Sequence, residues 1–338
     1  MKVDVILDPD TSPWEVKELG LLAESFGIQA AWTSNYPSSR DPFLNLCPLA
    51  LESRTIRVGA LVVTPWELHP YRMAKAVGSL NELSRGRANL LVGGPTGVNA
   101  TMGMDVARMV GRVRETAEIL KAVRPDQPLN YPGKIYQVWG YRPAWATDPP
   151  PQLYIGANKP QMLAMAAKVA DRIMVGDPLP RRFGATMESL AGLLAHHGRQ
   201  RRDVTVSGLV AFHVKADRAA SFAEARRQLA LRGMLDAWYL DEFLDPEEYA
   251  VVDARRNAFF KAYKQRTDVV PGVPGPLLDK LVENLSLAGS PADLDRHVER
   301  LLGLRRLGLD EVALKLHEDQ ADAIRLIGER IVPALAAA

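Results

Sequence analysis

Side chains with usable chemistry sit at the ends of short apolar runs in this sequence. Asp8 and Asp10 follow Val3–Leu7, and Ser34, Asn35 and Tyr36 follow Ala30–Thr33. Thr64, Trp66 and His69 close the run Ile56–Val63, and Gly93, Gly94, Thr96 and Asn99 follow Ala88–Val92. Further on come Gly156, Asn158 and Lys159, then Gly176 and Asp177, then Lys215, and last His317 and Glu318. Metal chemistry is poorly supported: the 6 histidines show no His-x-His after the first run and no paired His/carboxylate spacing, so no metal is expected. A serine nucleophile lacks its elbow motif. Covalent lysine chemistry needs a buried lysine at an inner strand position, and Lys315 is the only candidate. Anion binding is better supported. In Tyr154-Ile155-Gly156-Ala157-Asn158-Lys159-Pro160, Gly156 lets backbone approach a ligand, Asn158 can cap, and Pro160 fits a first helical turn. The free N–H groups of that turn point at any anion lying there, with Lys159 adding charge. A capped helix with no ligand remains the alternative at this level.

These groups need a frame, and the runs between them supply one. Ser12-Pro13-Trp14-Glu15 reads as an N-cap, a proline in the first turn and a capping-box glutamate. Asp41-Pro42 opens a second helix in the same way. Ile56–Pro65 is apolar on both sides, as a parallel strand covered on both faces must be. Strand and helix alternate eight times, which predicts a parallel sheet closed into a TIM-like (β/α)8 barrel of the α/β class. An open doubly wound sheet would carry a glycine fingerprint in the first strand–helix turn, where Asp8-Pro9-Asp10-Thr11-Ser12 stands instead. In a barrel all the strand ends above share one mouth. Residues 1–338 are read as a single domain. It carries insertions at 125–150 and 216–290, the second and larger between strands seven and eight. The first, rich in proline, is read as a surface excursion. The second is read as helical and as a pocket wall or lid.

Composition narrows the partners. A net charge of +2 argues against nucleic acid. The lone Cys47 permits no disulfide framework. Neither a signal peptide nor an apolar run of membrane-span length is present, so a cytoplasmic protein without a membrane partner is expected.

Several motifs together resemble the luciferase-like flavin and deazaflavin oxidoreductases. They are Trp32-Thr33-Ser34, Asp41-Pro42-Phe43, Thr55–Pro65, His69-Pro70, Asn81–Arg87, Arg114-Glu115 and Tyr154–Ala157. The order and spacing hold over nearly the full length. Within that family the chain is similar to the methylenetetrahydromethanopterin reductase-type branch, which uses the deazaflavin coenzyme F420. The resemblance implies a TIM-like barrel with insertions, a homodimer and a small-molecule substrate. It implies a bulge with a non-proline cis peptide around Leu61, Val62 and Val63 that backs the cofactor ring. The ring would stand near Asn35, Thr64, Gly93 and Gly94. Its phosphate would meet the backbone of Gly156, Ala157, Asn158, Lys159 and Gly176. Arg181 and Lys159 would meet the anionic tail at the rim.

One departure bears on the reaction. Many relatives have Asp-His after the Trp-x-Ser of strand two, where this chain has Asn35-Tyr36. An amide does not titrate and a phenol does so only near pH ~10. Alcohol oxidation needs a base for the hydroxyl proton. Hydride delivery to an electron-poor C=C or C=N needs a held ring and a proton donor, for which Asp8, Tyr36 and, more remotely, Glu67 are candidates. Asp8, Asn35 and Tyr36 are therefore the expected catalytic group of an F420-dependent oxidoreductase. The rival readings are an FMN-dependent monooxygenase of the same fold and a non-catalytic binding member of the family.

Overall fold

The computed structural model describes residues 1–337. The strands, in chain order, are β1 (Lys2–Leu7), β2 (Ala30–Ser34), β3 (Arg57–Val63), β4 (Ala88–Val92), β5 (Leu129–Pro132), β6 (Gln137–Tyr141), β7 (Gln152–Gly156), β8 (Arg172–Gly176), β9 (Thr205–Val214), β10 (Ser286–Gly289) and β11 (Glu311–Lys315). Eight of them run parallel in the cyclic order β1-β2-β3-β4-β7-β8-β9-β11, with β8 paired to β9 and β11 to β1, so the barrel closes. The expected fold is the observed one. The helices lie outside, each starting as its sequence dictates. Ser12 and Glu15 form the capping box of the Pro13–Ser25 helix, and Asp41 accepts from Phe43 and Leu44 at the start of Pro42–Glu52.

Three layers of side chains fill the barrel. The middle one is apolar, with Ile6, Trp32, Leu91, Tyr154, Met174 and Ala313 all buried. Trp32 and Tyr154 meet edge to face, their ring centroids 5.2 Å apart. A Cβ at Gly59 would overlap the Trp32 ring, so the indole occupies the space that glycine leaves. The floor, at the strands' N-terminal ends, is polar. Asp4 accepts from Trp32 Nε1 at 2.9 Å and from Gln29, and Glu311 accepts from Tyr154 and Arg172 at 2.9 and 3.0 Å. The third layer is the mouth.

The Asn81–Arg87 motif serves the frame. The Arg87 guanidinium donates to the Ser53 hydroxyl and to the carbonyls of Ala50, Ser53 and Ile56, tying a helix end to the start of β3. Asn81 accepts from Ala88 N and donates to Pro149 O.

Both insertions hold more order than their sequences show. Residues 125–150 contain the antiparallel hairpin β5–β6, which the prolines concealed. It is pinned by the buried Glu115 carboxylate, which accepts from the backbone of Lys134, Ile135 and Tyr136. Residues 216–290 form short helices around an apolar cluster of their own that includes Leu235, Leu240, Phe259 and Leu281. They also end in β10, which pairs with the far end of β9 as a ninth strand of the main sheet. The helical reading of 216–290 does not show this strand, because Ser286–Gly289 is too short to display a period. Arg108 stands at the N-cap position of the Met109–Ala122 helix without a side-chain cap, and residues 97–101 form a separate short helix. No helix among the described residues is long and apolar enough to cross a membrane.

Burial, with Glu311 nearby, pushes the Asp4 carboxyl up to about 7. Below the ordinary value of 3.8 the group is protonated in both folded and unfolded chains. Above it the unfolded chain ionises and the folded one resists, so stability falls as pH rises towards 7. Asp4→Asn is expected to remove this slope. Thermal unfolding from pH 4 to 8 checks it. The variant should gain on the parent by an amount on the order of 1–3 kcal/mol across that window. A constant difference would contradict the assignment.

Candidate active site

The mouth has three sides. On the first, β3 ends in an irregularity. Its register with β4 shifts between Ala60 and Val63, and the Leu61–Val62 peptide is cis, as the resemblance implied. Asn35 holds this segment. Its backbone N–H donates to Leu61 O at 2.6 Å, and its side-chain amide donates to Val62 O at 3.2 Å and to Glu67 at 2.8 Å. Glu67 also accepts from Thr64 N at 2.6 Å, and burial raises its carboxyl above the usual range. Thr64 in turn is tied to Asn99 at 3.0 Å. Asn35 and Glu67 are thus braces for the β3 bulge. Gly93, at the end of β4, faces it: a Cβ there would lie 2.7 Å from Val62 Cγ1.

On the second side, β7 and β8 present bare backbone. Gly156 adjoins Gly93, and a Cβ on it would come no nearer to the protein than 3.7 Å. Asn158 does not cap the next helix. Its side-chain oxygen accepts from Gly176 N at 2.7 Å, joining the β7 and β8 loops. The N-cap position of Pro160–Val169 falls to Lys159, which makes no side-chain cap. That helix start therefore keeps its N–H groups for a ligand. The helix after β8, Pro180–His196, differs: Arg181 N and Arg182 N donate to the Glu242 carboxylate at 2.8 and 2.9 Å. Lys159 pairs with Asp236 at 3.0 Å, and the exposed Arg181 side chain reaches Asp241 O. Both rim cations that the sequence offered to an anionic tail thus engage the 216–290 insertion.

The third side is the least expected. Lys315, only 2% exposed, points inward from β11 and donates to Leu7 O at 2.7 Å and Ser34 Oγ at 2.9 Å. Its ammonium lies 5.8 Å from the Tyr36 ring centroid. Burial pushes it down to about 7 and raises the Tyr36 phenol. Two residues on, His317 is buried with Nδ1 at 3.1 Å from Asp8. Its ring stacks on that of His213, with centroids 5.3 Å apart and planes 8° apart. His213 Nδ1 is 2.7 Å from Glu224, which also pairs with Lys215 at 2.7 Å. Burial pushes Glu224 upward, but the hydrogen bonds from His213 and Lys215 outweigh it and hold it low. Over this wall the insertion sends Arg232, 4% exposed, to Asp177 at 3.1 Å, and Gly233 N donates to the same carboxylate at 2.7 Å. Burial raises Asp177 against the pull of Arg232.

Asp8, Asn35 and Tyr36 do share the mouth with the glycine loops, as the topology predicted. What the sequence understated is the eighth strand. Lys315 and His317 fall at alternate positions beyond Ala313, which itself lies in the barrel interior. That alternation was legible, and it outweighs the absence of His after strand two. His213 and Arg232 carried no such signal, because β9 is apolar on both faces and Arg232 lies far along the insertion.

A closed parallel barrel with bare backbone and ionisable groups at one mouth defines a (β/α)8 protein whose candidate site lies at the strand ends. The chain belongs to the luciferase-like monooxygenase family, which it matches over residues 2–311. The 5,10-methylenetetrahydromethanopterin reductase of Archaeoglobus fulgidus is 28% identical over 344 residues, spanning 99% of this chain and 100% of that protein. The coenzyme F420-dependent tetrahydromethanopterin reductase of Methanopyrus kandleri superposes with a TM-score of 0.81 at 20% identity, covering 98% of each chain. An F420-dependent secondary alcohol dehydrogenase in complex with an F420–acetone adduct gives 0.78 at 15% identity, covering 99% of this chain and 98% of that one. At these identities the structural likeness is one of fold.

Lys315 yields a test of the mouth's burial. Between about 7 and its ordinary 10.5 the unfolded chain binds the proton that the folded chain has lost, so stability rises with pH across that window. Lys315→Met is expected to flatten this rise in thermal unfolding, with its largest gain over the parent near neutral pH. An unchanged slope would place the ammonium in water.

Proposed function

We propose that the chain is an F420-dependent oxidoreductase that moves a hydride between the deazaflavin and a small organic substrate. The observation that carries this is the bare-backbone cradle at the mouth. Gly93 faces the β3 bulge, Gly156 adjoins it, and the Pro160–Val169 helix opens beside them without a side-chain cap. A planar ring with a phosphate at the end of its chain fits such a cradle. The deazaflavin is favoured over FMN because the full-length relatives are methylenetetrahydromethanopterin reductases.

When bound in its reduced form, the deazaflavin supplies a hydride from C5. The chain supplies position and dryness. Leu61, Val62 and Val63 back the ring, braced by Asn35 and Glu67. Thr64, Gly93 and Gly94 border it. Ala157, Asn158, Lys159 and Gly176 hold the phosphate, with the N–H groups of the helix start. The 216–290 insertion covers the mouth and keeps water out. Asn35 and Tyr36, taken alone, favour reduction of C=C or C=N over alcohol oxidation, because neither takes up a proton near neutral pH.

An FMN-dependent monooxygenase is the second reading. An FMN complex of the same fold, the oxygenating constituent of a diketocamphane monooxygenase from Pseudomonas putida, superposes with a TM-score of 0.66. Equilibrium titration decides: F420 is expected to bind and FMN to bind at least tenfold more weakly (about 1.4 kcal/mol). The reverse order would overturn the proposal, and binding of neither would point to a non-catalytic member. Gly93→Val is expected to weaken F420 binding about tenfold or more while leaving the circular dichroism spectrum unchanged, because its side chain enters the space beside Val62.

A further inference from the structure

The third side of the mouth holds more machinery than positioning a hydride donor requires. His317 is buried, its Nδ1 is taken by Asp8, and its Nε2 is a buried nitrogen with no partner in the protein. With the carboxylate accepting at Nδ1, that nitrogen carries the proton and Nε2 presents a lone pair. Leaving a buried polar atom unpaired costs about 1–3 kcal/mol, which a bound group donating to that nitrogen would recover. The ring is also fixed in angle. Asp8 holds one edge and His213 stacks on a face, itself pinned by Glu224 and Lys215. Asp8 is in turn held by its backbone N–H to Gln320 at 2.8 Å. Across the mouth lies the β3 bulge, reached through Lys315 and Ser34, whose strand neighbour is Leu61.

We propose that His317 Nε2 exchanges a proton with the substrate while Asp8 positions its ring, and that the substrate is therefore a carbonyl compound, or a C=C conjugated to a carbonyl. This rests on the hydride-transfer reading above. In the reducing direction carbon takes a hydride from the reduced deazaflavin, and the π bond breaks. The oxygen, or the carbon next to the carbonyl, takes the proton from His317. The substrate gains two electrons, the deazaflavin loses them, and the imidazolium returns to neutral imidazole and is recharged from solvent. In reverse, neutral His317 takes the hydroxyl proton of an alcohol as oxidised deazaflavin takes the hydride. An iminium acceptor needs hydride alone and would give this imidazole no part.

The groups facing the ring are Asp8 after β1, Lys315 at the end of β11, His213 on β9 with Lys215 just after it, Glu224 on the Arg218–Gln228 helix and Arg232 from the insertion. Burial first, then Lys315 and His213, holds the imidazole well below its usual range. It therefore rests neutral at physiological pH, the form that accepts the hydroxyl proton of an alcohol. In the reducing direction it must take up a solvent proton before the transfer, a step that its burial disfavours.

Two readouts test the proposal. In the ligand-free protein, nitrogen-15 spectra are expected to show His317 protonated on Nδ1 with a bare Nε2, a state that Asp8→Ala disturbs. A proton on Nε2, or indifference to Asp8→Ala, overturns it, and this readout decides alone if no probe reacts. The second readout is single-turnover oxidation of reduced F420 by cyclohexanone, cyclohexenone and an N-methylated dihydroisoquinolinium. His317→Gln is expected to slow the two carbonyl probes about 100-fold or more and to leave the iminium rate and F420 affinity nearly unchanged. Equal losses on all three, or turnover of the iminium alone, overturns it. Loss of F420 binding in the parent would instead sink the cofactor assignment and leave the tautomer result standing.

Discussion

Trp32 lying across the barrel, in the space Gly59 leaves, is the contact on which the rest depends. The indole fills the centre of the middle layer and hands its one N–H down to Asp4. It separates two polar layers that would otherwise share a wet interior. Below it, Asp4, Glu311, Arg172 and Tyr154 form a closed network at the strand starts. Above it, Asp8, Ser34, Lys315 and His317 are free to be used. A dry partition keeps two buried polar clusters apart in one small barrel, and each settles its charges with its own hydrogen-bonded partners.

Above that partition the mouth is divided by function. The β3–β4–β7 side is backbone: a bulge, glycines and an open helix start. The β1–β9–β11 side is side chain: two amines, two imidazoles and two carboxylates. The first suits a large flat ligand with a phosphate, the second a small polar one. The family signature Asn81–Arg87 belongs to neither, for its hydrogen bonds fasten a helix end to the start of β3.

The barrel was legible because its strands are long enough to show pattern and its helices carry their own caps. Ser12 and Asp41 announce helices by chemistry that needs no neighbour. The glycine loops were legible for the same reason, although Asn158 was misread: a capping side chain and a loop-joining one look alike until Gly176 N is placed beside it. The hairpin in residues 125–150 was hidden by its prolines, and the short β10 by its length and the remoteness of β9. The ionisable wall was half visible. Lys315 and His317 follow the inward alternation of β11, but His213 and Arg232 gain their roles only from packing between distant segments.

Arg232 and Asp177 are both nearly sealed from solvent, one on the insertion and one on the barrel. Neither ion can be left behind in the dark when its partner departs, since an unpaired buried charge is far costlier than the pair. A half-raised cover is therefore the least favourable arrangement. The pair thus behaves as a latch between two distant segments, costly to part unless water reaches both ions together.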